Sequence, residues 1–179
     1  MNPEVILSFW FDETDHKKWW VKDPDFDSLI RDRFGDLLTQ ASRGELYSWR
    51  SGSRGRLAEI IVLDQFSRNI HRGTAGAFSS DVIALVLAQE AIAAGSLNEL
   101  SPIECNFLLM PFMHSESPVI HARAEQLYGP HAPGNNLEFE LKHKAIVDRF
   151  GRYPHRNAIL GRVSTDEEIE FLKGPGSSF

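Results

Sequence analysis

The sequence predicts an all-α protein of roughly eight to ten helices with short connections. Three observations carry that expectation: apolar residues recur at three-and-four spacing, good N-cap residues stand directly before prolines, and no two strand-like runs are joined by a hairpin turn.

Taken in order, Asn2-Pro3 opens a first helix, and Asp23-Pro24 opens a longer one over 24–42. Proline suits the first helical position, because its φ is already helical and its missing amide would be unpaired there anyway. Within 24–42, Phe26, Leu29, Ile30, Phe34, Leu37, Leu38 and Ala41 trace one apolar face, and Gly44 marks the stop. SGSRG at 51–55 reads as a loop. The segment 56–68 is apolar on nearly every side (Leu57, Ile60, Ile61, Val62, Leu63, Phe66), which marks a central, buried helix. Helix 81–94 ends at Gly95. Ser101-Pro102-Ile103-Glu104 is a capping box before a helix over 102–110, followed by a loop over 111–117. Ser117-Pro118 opens 118–128, and Gly129-Pro130 closes it into the loop YGPHAPGNN. A helix over 137–150 follows, then a second capping box, Ser164-Thr165-Asp166-Glu167, before 165–173. The tail KGPGSSF is expected to fray unless Phe179 docks.

Composition fits a single domain over 1–179. The chain is 42% hydrophobic and 25% charged, with twelve Phe and four Trp, enough to build a core without staples. Its one cysteine, Cys105, excludes an internal disulfide and a multi-thiolate zinc site, and its place in an apolar helix favours an inert thiol. A formal charge of −6 argues against a nucleic-acid surface. The richest apolar run, Val82 to Ala88, is too short to cross a membrane, and the N-terminus lacks the pattern of a secretory signal. A cytoplasmic protein is the expectation. The N-terminal aromatics Phe9, Trp10, Phe11, Trp19, Trp20 and Trp49 read as packing rather than as a cofactor pocket.

The chemistry-bearing residues gather in a few places. Asp64 to Arg72 and Asp148 to Arg156 both read D-x-F-x-R-x-x-H-R at the end of an apolar helix. In each, an acid stands four residues before an arginine, the favourable order for a same-face ion pair. The plainer explanation is two helix-terminating salt bridges. The sharper one is that both corners converge and aim Arg68, Arg72, Arg152 and Arg156, with His155, at one anion. Glu59 and Asp64 lie in the apolar helix and demand cations nearby. His143 shares a face with Phe139, Ile146 and Phe150, so it points inward. His114 and Glu116 precede a helix N-terminus that could hold an anion. A general acid–base site would pair His114 or His143 with Glu116, Glu59 or Asp64. A metal site is disfavoured, since neither H-E-x-x-H nor a Cys–His spacing occurs, and no motif names a cofactor. His16, His121 and His131 carry no special signal.

The strings LAEIIVLDQFSRNIHRGTAGAFSSD, MPFMHSES and DRFGRYPHRNAILGRVSTDEEIEFL resemble a bacterial family catalogued as domain of unknown function 924. The resemblance runs from Phe9-Trp10-Phe11 almost to the C-terminus. It implies a fold like the tetratricopeptide-repeat superfamily, with stacked antiparallel helix hairpins, although the repeat consensus itself is missing. The family brings no activity to transfer. Its motif residues here are Asp64, Gln65, Arg68, Asn69, Arg72, Gly73, His114, Glu116, Arg149, Arg152, His155, Arg156, Asn157 and Arg162. Two functions follow as expectations. One is a helical-repeat binding module whose arginine- and histidine-lined groove takes an acidic peptide or small anion. The other is an enzyme on a phosphorylated or carboxylated small molecule, with His114 or His143 as acid–base group.

Overall fold

Every residue from Leu57 to Phe66 is buried and seven of the ten are apolar, so the stretch 53–70 that contains them takes the middle of the molecule. In the computed structural model, which describes residues 1–178, it runs as α3 (Ser53–Ile61), a π-helical turn (Val62–Phe66) and α4 (Ser67–Ile70). The wider turn puts one extra residue into the coil, and Asp64 and Gln65 end up inside with their apolar neighbours.

Around this rod, α1 (Pro3–Ser8), α5 (Asp81–Ala93) and α6 (Pro102–Met113) pack on α3, and α2 (Pro24–Ser42) packs on α4 and the π turn. Then α7 (Pro118–His131) packs on α6, and α8 (Asn136–Phe150) packs on α7. Finally α9 (Asp166–Leu172) lies against the turn Pro154–Arg156. The described residues contain no strand. Ala84, Ala88 and Ala91 are fully buried, giving α5 a small-residue face against α3 and α6. The aromatic N-terminus packs as expected: the rings of Phe9, Phe34 and Phe66 meet at centroid separations of 4.8–5.9 Å, Phe34 stacked on Phe66 and Phe9 edge-on to Phe66. Ile146, Val147 and Tyr153 form a separate small cluster with Phe150 and Phe171.

Several boundaries differ from the sequence expectation. Helix α6 runs through Pro111 to Met113, so only 114–117 is loop. Helix α7 continues past Gly129-Pro130 to His131. Proline costs a helix one bond and some strain, and here packing on both neighbours outweighs that. Ser53 already belongs to α3, where Gly55 lies so close to Trp49 that an added Cβ would sit 2.0 Å from the Trp49 carbonyl oxygen. Ser117 makes no side-chain cap; Ser115 Oγ instead accepts from the Ser117 amide at 3.2 Å. The last capping box is one residue later than expected, Thr165 with Glu168. Ser177 is buried and donates to the Leu172 carbonyl at 3.2 Å; the expectation for Phe179 lies outside the described residues.

The stretch 75–93 has the length and mean hydropathy (1.4) of a membrane-crossing segment, more than the seven-residue run counted from the sequence. In the structure it is a 3₁₀ turn (Ala75–Phe78), a two-residue turn and the 13-residue α5. Asp81, at the break, is ion-paired with Arg68 and Arg156.

Candidate functional site

Asp64 is 1% exposed on the π turn, and three side chains converge on it. Its Oδ1 accepts from Arg68 Nη1 at 3.1 Å and from His114 Nδ1 at 2.8 Å; Oδ2 accepts from Gln65 Nε2 at 2.6 Å. Burial pushes the carboxyl up, but Arg68 and His114 outweigh it and hold Asp64 well below the usual carboxylate range. Asp64 is therefore ionised, and His114 presents its Nδ1–H to it. Burial first, and Arg68 second, press the His114 imidazole below its ordinary value against the pull of Asp64. A neutral ring with Nδ1–H leaves Nε2 as a lone-pair acceptor. No described residue bonds to that nitrogen.

His114 caps the C-terminus of α6 and opens the wall of a cleft of about 290 Å³, together with Ser115, Glu116, Asp81 and Arg156. Arg156 donates through Nη2 to the His114 carbonyl at 3.0 Å and lies 3.3 Å from Asp81 Oδ2. Its guanidinium covers the Phe78 and Tyr153 rings at 4.5 and 4.6 Å, and its Nε is buried without a partner. Arg68 closes on the same Asp81 with two bonds, at 2.9 and 3.1 Å. The two D-x-F-x-R-x-x-H-R corners therefore do meet, on a carboxylate that sequence reasoning passed over because an acid in the first turn of a helix is ordinary.

Only part of the expected set arrives there. Arg72 is a fork on Asp27 at 2.6 and 2.8 Å, and Arg152 a fork on Glu168 at 2.6 and 2.8 Å; neither lines the cleft. Asp64–Arg68 is the expected four-apart pair. Its counterpart is not made: Asp148 pairs with Lys144 instead. Glu59 finds its cation in Arg50, at 2.7 Å through both oxygens, and likewise does not line the cleft. His143 faces inward, with Nδ1–H donating to the Phe139 carbonyl at 2.7 Å, and burial holds it down to about 3. His155 packs on Tyr153 at 5.6 Å, and burial, then Arg156, lower it to about 4. Cys105 is buried, which pushes its thiol up.

A second buried pair lies behind the cleft wall. His121 and Glu140 are both 0% exposed, with His121 Nδ1 2.6 Å from Glu140 Oε1. His121 Nε2–H donates to the Ser115 carbonyl at 2.8 Å, and Tyr153 Oη–H donates to the Met113 carbonyl at 2.5 Å. These bonds pin the backbone on both sides of His114. Glu116 is held from outside by a fork from Arg162 at 2.6 and 2.9 Å and by the Tyr153 amide at 2.7 Å. Sequence reasoning set His121 aside and missed Glu140. The available signal was Glu140-Leu141-Lys142-His143, an acid–histidine spacing used by metal-binding bundles, but here each side chain has a different partner. Among the described residues, no three His, Cys, Asp or Glu side chains are grouped to hold an ion.

The model of DUF924, described as a bacterial protein of unknown function, matches residues 6–176. A solved structure, that of the protein of unknown function ATU0120 from Agrobacterium tumefaciens, superposes with a TM-score of 0.91 at 40% identity, covering 96% of this chain and 97% of that one. Among curated proteins none matches.

Proposed function

The chain belongs to the bacterial DUF924 family of unknown function, and from that footing we propose that it binds a small molecule in the His114 cleft and moves a proton on it. The observation that carries this reading is the Asp64–His114 bond, 2.8 Å long, behind a cleft that His114 lines. A buried carboxylate that fixes one imidazole nitrogen and leaves the other open is the arrangement of an oriented general base. Arg68 and Arg156 set the charge around it, and the His121–Glu140 pair fixes its backbone. The succession of α5 on α6, α6 on α7 and α7 on α8 supports the stacked-hairpin arrangement expected from sequence.

The second reading, an anion site, rests on Arg156. Arg68, Arg72 and Arg152 each bond a carboxylate through two or more contacts, whereas Arg156 keeps a buried, unpartnered Nε and stands 3.3 Å from its acid. The groove of four free arginines for an acidic peptide loses its support with those pairings.

The test is a thermal-shift survey of small metabolites on the wild type, His114→Gln and, as a distant control, His131→Gln. Compounds that stabilise the wild type are expected to lose their effect in His114→Gln and keep it in His131→Gln. Identical responses in all three would place the ligand elsewhere.

A further inference from the structure

We infer that the cleft selects an uncharged ligand with an apolar body and one hydrogen-bond donor, the donor resting on His114 Nε2. The inference rests on the reading of His114 given above and adds the chemical class of what it meets.

Charge is the first argument. Three cations stand in or directly behind the cleft wall, Arg68, Arg156 and Arg162, and three carboxylates answer them, Asp64, Asp81 and Glu116. With His114 neutral the set sums to zero. A carboxylate or phosphate entering would face Asp81 and Glu116 with no cation lacking an acid, and an amine would face Arg156. Either would give up hydration without a matching partner.

The lining is the second argument. Away from the polar end, the walls are Ala75, Phe78, Val82, Leu85, Pro111 and Leu160. Val82 is 74% exposed at the rim, an apolar side chain that a ligand of this kind would cover. A volume of about 290 Å³ lies at the small end of ligand sites and suits one ring or a short chain with a head group.

The third argument is hydrogen-bond polarity. Asp64 accepts a hydrogen bond from Nδ1–H, so in the neutral ring Nε2 accepts and does not donate. A hydroxyl or amide N–H satisfies it. A pure hydrocarbon would leave it buried and unpaired.

Benzyl alcohol, benzoate, benzylamine and inorganic phosphate separate these cases. Each is titrated into the full chain while the His114, Val82 and Leu160 NMR resonances are followed. Benzyl alcohol is expected to shift all three saturably, with an affinity about fivefold or more above either charged aromatic and above phosphate. Val82→Asp is expected to weaken the alcohol by a similar factor with an unchanged melting temperature, since the side chain is at the surface. Equal or tighter binding of any charged probe at the same resonances, or no effect of Val82→Asp, overturns the uncharged class and leaves the cleft as the site. If no probe moves His114, the proposed function itself fails.

Discussion

At the scale of single residues, the histidines govern how the protein answers pH. His114, His143 and His155 are all pressed below their ordinary 6.5 by burial, the latter two to about 3 and about 4. As pH falls through 6.5 the unfolded chain takes up protons that the folded chain refuses, so folding stability drops, by up to about 1.4 kcal/mol per pH unit for each group. Glu140 runs the other way, since burial raises it and its folded form gains protons first. The depressed carboxylates, among them Asp64, Glu116 and, at about 2, Glu168, add their loss only below about 4.5. The melting temperature is therefore expected to decline between about pH 7 and pH 5, before ordinary carboxylates titrate. A flat profile over that range would contradict the assignment of neutral buried imidazoles.

At the scale of elements, capping is where sequence and structure come closest and still part. Ser164 and Thr165 are adjacent, each with an acid three residues on, and sequence alone cannot rank them. The structure chooses Thr165 because Glu168 is then drawn inward to Arg152 and Asn157, while Ser164 Oγ goes to Asn157 at 3.0 Å. Thr165→Ala is expected to cost about 1 kcal/mol in urea unfolding and Ser164→Ala less; the reverse order would return the cap to Ser164. Most helices were legible because their start signals and periodicity agree: Asn2, Asp23 and Ser101 all cap as read. Pro111 and Pro130 were misread as stops because tertiary packing, invisible in a local window, carries α6 and α7 through them.

At the scale of the whole molecule, what could not be read was pairing across distance. Asp64 demanded a cation, and the sequence offered Arg68. Nothing local indicated that Asp81 would bridge Arg68 to Arg156, or that His121 would reach Glu140 from the next helix. The Ile146–Val147–Tyr153 cluster, set apart from the main core, implies uneven stability. Amides of α9 and of 153–163 are expected to exchange with deuterium well before those of α3, and equal protection would show one cooperative unit. The cleft itself is a product of the whole fold, since Asp64, Asp81, His114 and Arg156 come from four separate segments. At its polar end, Asp64 fixes the His114 proton on Nδ1 and leaves Nε2 a neutral acceptor. Nitrogen-15 NMR of the His114 ring measures this directly. A neutral Nδ1–H tautomer is expected near pH 7, becoming charged only below 6.5, with a changed tautomer balance in Asp64→Asn. An imidazolium near pH 7, or a proton resident on Nε2 in the wild type, would contradict it.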